Sequence, residues 1–290
     1  MNTQIIDGRA PAAALNARTM EAIPTLGRAP SMAAVVVGAD PAADFYASSQ
    51  ERQAKKLGIR YSRVELADSV GADTLHSALD RLSANPEVDG IILLTPLPSG
   101  LSVHAAREHI APAKDIEGVN PLSMGRLVLG MPAFVPPTAQ AAFDLALGHM
   151  KELAGVEALV LGYSDTVGKP LTCLLMNAKA TVTVARSRVR DMNSLIERAE
   201  LVFACVGKAG MVRGEQLRPG AVVIDIGTNE VKVPMPDGTT KTAWVGDVDT
   251  ESAMGIVSAI TPVPGGVGSL TTAMLYNNLV RAAIAHSGRQ

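Results

Sequence analysis

ALVLGYSDTVGKP, residues 158–170, decides the fold. Ala158–Gly162 is a short apolar run of the kind that forms a strand buried on both faces. A glycine turn follows. Lys169–Ala178 then reads as a helix with Pro170 in its first turn, where a missing N–H costs nothing. Strand, glycine turn and helix N-terminus together suit an anionic pyrophosphate: glycines let the backbone approach, and free N–H groups with the helix dipole hold the charge. The spacing is not G-x-G-x-x-G, so on this motif alone an ordinary βα turn stays open as the alternative.

The same alternation runs outward in both directions. Toward the C-terminus, Ala180–Ala185 reads as a strand, Asp191–Ala199 as a helix, and Leu201–Gly207 and Ala221–Gly227 as strands. Toward the N-terminus, Met32–Gly38 reads as a buried strand and Ala42–Leu57 as a helix ended by Gly58. A strand near Ile59–Leu66, a helix over Ala72–Ala84 and a strand at Gly90–Leu94 follow, the last running into the loop Thr95-Pro96-Leu97-Pro98. This order predicts an α/β protein of two domains with parallel sheets, the second Rossmann-type. The polar stretch Asn229–Trp244, with Pro234, Pro236 and Gly238, predicts a surface hairpin, and Leu270 to about His286 a final helix. The boundary is expected near Thr138–Ala141, inside the Pro-rich VPPTAQ. That gives a first domain of residues 1–140, to which the helix at 270–290 returns, and a second of residues 141–269.

Composition narrows the function. The 290 residues carry a net charge of −2, which gives no electrostatic reason to bind nucleic acid or an anionic membrane. Aromatics at 3 % leave few stacking platforms for single strands. The N-terminus lacks the basic and apolar regions of a signal peptide, and no apolar run reaches membrane-spanning length. Cys173 and Cys205 lie far apart in apolar stretches and read as two buried thiols in a reducing compartment. The histidines (His76, His104, His109, His149, His286) have no metal-ligand spacing, so no metal is expected. A cytoplasmic enzyme is the expectation.

The strand after the glycine turn sets the nucleotide's type. An NAD site usually places a carboxylate at its end for the ribose 2′-hydroxyl. Here the strand runs into Arg186-Ser187-Arg188, with no carboxylate before Asp191. Two guanidinium groups and a hydroxyl suit a 2′-phosphate, so NADP is expected.

With these residues in hand, the chain resembles the bifunctional methylenetetrahydrofolate dehydrogenase/cyclohydrolases over nearly its whole length. The resemblance rests on Ile5-Ile6-Asp7-Gly8, Val37–Ala42, Tyr46–Gln50, Pro96-Leu97-Pro98, Pro112–Gly118, Gly162–Pro170, Val245–Val248 and Thr261–Thr271. It implies a folate-side domain and a Rossmann domain with a cleft between them, a homodimer, and oxidation of 5,10-methylenetetrahydrofolate with NADP. It places Tyr46, Gln50 and Glu117 at catalytic positions. It places Tyr46, Ser49, Leu94, Pro96, Glu117, Pro264, Gly265 and Thr271 around the substrate, and Gly162, Tyr163, Ser164, Thr166, Arg186, Ser187, Arg188 and Gly207 around the nucleotide.

The chain departs from the family where the second activity resides. The family's lysine in Tyr-x-x-x-Lys is Gln50, and the glutamine thought to tune that lysine is Leu94. The second aspartate of its K-D-V-D-G is Glu117, the arginine of its G-R-S is Tyr163, and the proline after G-G-V-G is Ser269. Its P-C-T-P-x-G cleft segment is Pro136–Ala141. Hydride removal leaves a cation stabilised by the flanking nitrogens and needs positioning more than proton transfer. Hydrolysis of the methenyl bridge profits from a group titrating near neutrality, which glutamine cannot supply. The expectation is a dehydrogenase that has lost the cyclohydrolase step. Two other readings stay open: a different tetrahydropterin carrier, which the longer Glu117 would suit, and a binding protein without catalysis. Asp225 is left open between cofactor contact and loop N–H groups, and Lys208 between cofactor contact and solvent. Asp247 reads as structural.

Overall fold

The computed structural model describes residues 2–234 and 240–288. From the N-terminus the chain forms β1 (Gln4–Ile5), α1 (Arg9–Ala22), β2 (Ser31–Val37), α2 (Pro41–Lys56), β3 (Arg60–Leu66), α3 (Ala72–Ala84), β4 (Gly90–Leu93), α4 (Val103–Glu108) and α5 (Pro121–Val128). Then come α6 (Pro137–Met150), β5 (Glu157–Leu161), α7 (Gly168–Asn177), β6 (Thr181–Ala185), α8 (Met192–Arg198), β7 (Leu201–Ala204) and β8 (Val222–Asp225). Last are β9 (Asn229–Pro234), β10 (Thr240–Val245), α9 (Thr250–Ala253), β11 (Ala259–Ile260) and α10 (Val267–His286).

The chain divides into two compact units. The Rossmann unit contains the residues up to Ala12 and Pro136–Met274; the other contains Ala13–Val135 and the chain from Leu275 onward. Both α1 and α10 therefore begin in the Rossmann unit and end in the second. The sequence placed the first dozen residues with the stretch that follows them; in the structure they group with the Rossmann unit. β1 pairs with β11 instead, Gln4 opposite Ala259 and Ile5 opposite Ile260. The division falls between Val135 and Pro136, within VPPTAQ and slightly before the expected Thr138–Ala141. Pro137 occupies the first turn of α6, where proline is at home.

The second unit has a three-stranded parallel sheet ordered β3-β2-β4. β2 is wholly buried because both its faces are covered. Met32, Ala34 and Val36 point into a cluster with Ala43, Ala47 and Ala54 of α2 and Leu275, Tyr276, Leu279 and Ala282 of α10. Ala33, Val35 and Val37 face Leu75 and Leu79 of α3 and Ala106 of α4. The period of two thus sorts one apolar run between two cores.

The Rossmann unit has a six-stranded sheet, β1-β11-β8-β7-β5-β6, with every pairing parallel. Its core gathers Leu159, Leu161, Val202, Val223 and Ile260 from the strands with Ile196 of α8. β9 and β10 form the expected hairpin, Trp244 opposite Glu230. Pro236 and Gly238 lie outside the described residues. The thiols of Cys173 and Cys205 are free but only partly buried, a correction to the expectation. Among the described residues no helix is long and apolar enough to cross a membrane.

Candidate active site

The nucleotide end follows from strand order. β6 lies on one side of β5 and β7 and β8 on the other, so the chain reverses direction across the sheet between β5 and β7. Crevices outside the carboxyl ends of strands at such a point take ligands. The loops leaving β5 and β7 touch there. A Cβ on Gly162, whose φ is 121°, would lie 2.3 Å from the Cys205 carbonyl oxygen. A Cβ on Gly168 would lie 2.4 Å from the Gly162 carbonyl oxygen. Only glycine lets the turn fold back on itself and on β7. The N-cap of α7 is Val167, which has no side-chain acceptor for the first turn. Ser164 and Thr166 are exposed on the loop, and Arg186, Ser187 and Arg188 are exposed just past β6. A glycine cradle, an uncapped helix start and two exposed arginines fit a dinucleotide carrying a 2′-phosphate. Gly207, at φ 68°, lies in the exposed loop after β7.

Two buried aspartates shape that loop. Asp247 Oδ2 accepts from the N–H groups of Val206 (2.6 Å) and Gly207 (3.0 Å). Its Oδ1 accepts from Lys208 N–H and Asn229 Nδ2, both at 2.9 Å. Asp247 N–H in turn donates to Asp225 Oδ1 at 2.9 Å, as Gly227 N–H does at 3.0 Å. Val248 N–H donates to Asp225 Oδ2 at 2.9 Å. Asp225 N–H donates to Thr261 Oγ1 at 2.7 Å. Burial pushes the Asp225 carboxyl up to about 6, against three backbone donors that pull it down. The structure thus resolves Asp225 as a loop organiser, and Asp247 is structural as expected. Sequence reading noted both residues but could not see them act in series, because the links are tertiary.

Pro264 and Gly265 line a cavity of about 280 Å³ with Ile226, Thr228 and Trp244. Thr228 and Trp244 were not singled out from sequence; their chemistry is ordinary and only the fold brings them here. Gly265, at φ 109°, accepts on its carbonyl from Gly8 N–H at 2.9 Å. The two motifs Ile5–Gly8 and Thr261–Thr271 are therefore one piece of structure. Thr271 spends its hydroxyl on Val267 O at 3.1 Å.

The remaining predicted residues lie in the second unit. Asp40 caps α2 through Ala43 N–H (2.8 Å) and Pro41 starts it, so α2 begins at the carboxyl end of β2. Tyr46 and Gln50 are one turn apart on it, yet Tyr46 is 50 % exposed and Gln50 only 5 %. Gln50 Oε1 accepts from Tyr61 Oη at 3.1 Å, and its backbone carbonyl accepts from Tyr276 Oη at 2.6 Å. Its Nε2 is buried with no hydrogen bond of normal geometry among the described residues. Leu94 is buried in the apolar cluster that holds Ala47, Ala54 and Tyr276. Pro96 and Ser49 are exposed.

Glu117 sits on a loop built by its neighbours. Asp115, buried, accepts from Val119 N–H (3.1 Å), Asn120 N–H (2.8 Å) and Ser123 Oγ (2.8 Å). Lys114 Nζ donates to the Asn85 carbonyl at 2.6 Å. Gly118, at φ 64°, passes so close to Phe134 that a Cβ would lie 2.4 Å from its carbonyl oxygen. Asn278 of α10 donates to Ile116 O at 2.9 Å. The loop's other charges are thus consumed, leaving the Glu117 carboxyl without a hydrogen-bond partner among the described residues. Burial pushes it up to about 7, with the Asp115 carboxylate adding and Arg107 opposing. The Tyr46 phenol is raised by desolvation and then by Glu117, which places those two groups within electrostatic reach.

Residues 136–287 match the NAD(P)-binding domain family of tetrahydrofolate dehydrogenase/cyclohydrolase, and residues 6–117 match its catalytic domain family. The bifunctional protein FolD of Sphingopyxis alaskensis is 43 % identical over 291 residues, covering 99 % of this chain and 96 % of that protein. The Trypanosoma brucei methylenetetrahydrofolate dehydrogenase-cyclohydrolase (FolD), solved with NADP and an inhibitor, superposes with a TM-score of 0.90 at 33 % identity, covering all of both chains. The bifunctional FolD of Campylobacter jejuni gives the same TM-score at 30 % identity, covering 98 % of this chain and 99 % of that one. The chain belongs to the tetrahydrofolate dehydrogenase/cyclohydrolase family.

Proposed function

We propose that this chain is an NADP-dependent dehydrogenase that oxidises 5,10-methylenetetrahydrofolate to the methenyl form and has lost the hydrolysis that follows. The observation that carries the second half is Gln50, buried and non-titrating where the family has its lysine, with apolar Leu94 where the family has the lysine's tuning partner. Bound NADP supplies the hydride acceptor. The Rossmann unit's part is to hold it: the glycine turn and helix start for the pyrophosphate, Arg186, Ser187 and Arg188 for the 2′-phosphate. The second unit's part is to hold the pterin. Glu117 offers a carboxylate to the aminopyrimidine edge, and Tyr46 gives an open ring beside it. Gln50 is a polar positioning group one turn along α2 from Tyr46. No proton has to move to a side chain in this step, so losing the lysine leaves it intact.

A second reading is favoured by Glu117. It titrates near neutrality beside Tyr46, and a general acid/base with such a pKa could serve hydrolysis. The relatives, named bifunctional, point the same way. A two-wavelength assay of the pure protein with methylenetetrahydrofolate and NADP separates the two. Equal rises of NADPH and methenyltetrahydrofolate, with the methenyl signal persisting, support loss. Methenyl consumed faster than in buffer would overturn it and turn attention to Glu117. A homodimer and a cytoplasmic location complete the proposal, the former testable by light scattering.

A further inference from the structure

The arginine of the family's G-R-S is Tyr163 here, and the tyrosine ring lies against two cationic side chains. β5 and β6 pair in parallel with Leu161 opposite Ala185, and Gly162 N–H donates to Ala185 O at 3.0 Å. The two strands end level, so the turns leaving them run side by side. Tyr163 follows the glycine of one turn, and Arg186 is the first residue of the other. The Arg186 guanidinium carbon lies 5.6 Å from the centroid of the Tyr163 ring. Lys169 Nζ lies 5.1 Å from the same centroid and is also paired with Asp165. The ring is 44 % exposed, and Arg186 is exposed. A neutral side chain at the family's cationic position has thus gathered two cations onto its face.

We propose that Tyr163 is a positioning residue for the ribose 2′-phosphate, holding Arg186 by its π face so that the guanidinium fork meets the phosphate. The inference rests on the NADP reading above. An exposed arginine has many rotamers, and one laid on a ring loses less freedom when it binds. The cation moves from residue 163 to residue 186, and the ring keeps it in place. Lys169, in the first turn of α7, stays paired with Asp165.

Calorimetric titration of NADPH, NADH and 2′,5′-ADP into the wild type, Tyr163→Leu, Tyr163→Phe, Arg186→Gln and the Tyr163→Leu/Arg186→Gln double variant tests this. Tyr163→Leu is expected to weaken NADPH and 2′,5′-ADP about two- to fivefold, the worth of an exposed cation–π contact, and to leave NADH unchanged. Tyr163→Phe keeps the ring and is expected to bind as the wild type does. In the Arg186→Gln background, removing the ring is expected to cost nothing further. Equal losses for NADPH and NADH would overturn the proposal, as would an undiminished loss in the Arg186→Gln background. A Tyr163→Phe as weak as Tyr163→Leu would also overturn it, assigning the contact to the hydroxyl. Wild-type protein that holds NADH as tightly as NADPH would remove the NADP reading itself, and this one with it.

Discussion

Glu117 and Gln50 carry opposite lessons about single residues. The folded pKa of Glu117, about 7, lies above its ordinary 4.5, so the fold favours the neutral acid. Its contribution to stability is in place below about pH 4.5 and is lost as pH rises through 7, leaving an unfavourable buried carboxylate above that. Glu117→Gln is therefore expected to raise Tm at about pH 8 and to change it little at about pH 4.5, as thermal scans at the two pH values would show. The same variant removes the acceptor proposed for the pterin and should raise KM for the folate at least about tenfold. In the wild type that KM should climb as pH falls below about 7, while the variant's profile stays flat. Gln50 cannot titrate, so its test is the reverse substitution. Gln50→Lys places an ammonium in a site that is 5 % exposed, where desolvation lowers both its pKa and the protein's stability. It should lower Tm by several degrees and raise methenyl hydrolysis at least about tenfold over the wild type. Adding Leu94→Gln should raise hydrolysis further by giving the lysine a polar neighbour.

Elements differ in how plainly their sequences announce them. β2, β4, β5, β7 and β8 were legible as apolar runs because each is wholly or almost wholly buried. α2 and α3 were legible from periodicity and from Gly58 after the first. α1, α4, α5 and α6 were not. α1 is alanine-rich with little segregation of faces, α4 has six residues and α5 eight, and prolines hide the start of α6. β1 and β11 have two residues each and exist only because they pair across the chain. The nucleotide turn could be located from the strand before it and the helix after it, whereas the loop after β7 could not be explained from its own residues. Asp247 holds it from outside by accepting from three of its N–H groups, with Asn229 Nδ2 as a fourth donor, and an amide has one oxygen to offer where the carboxylate has two. Asp247→Asn sets an NH₂ against N–H donors. It should weaken NADP binding about tenfold, since hydrogen bonds to a charged group are each worth about 1.5–3 kcal/mol, with the melting transition still cooperative. Titration and thermal unfolding of one preparation would separate lost loop order from lost fold.

At the scale of the molecule, α10 completes a core that begins 240 residues earlier in the sequence, at Met32 and Ala34. Leu275, Tyr276, Leu279 and Ala282 are all buried there, and each large apolar side chain contributes about 1.5–3 kcal/mol, against about 5–15 kcal/mol for a whole domain. A chain ended at Met274 is therefore expected to keep a protease-resistant Rossmann unit and to be cut readily within residues 13–135, as limited proteolysis with mass spectrometry would reveal. The interleaving of the two units has a further consequence for how the protein is made. Chains usually fold domain by domain, N-terminal part first, as they leave the ribosome. Here β1 emerges long before β11, its pairing partner, and waits for it. The sheet of β2, β3 and β4 is complete in sequence by residue 93 and waits for a helix that ends at His286. Neither unit can close until β11 and α10 have emerged, so the nascent chain carries open apolar surface while the residues between are made.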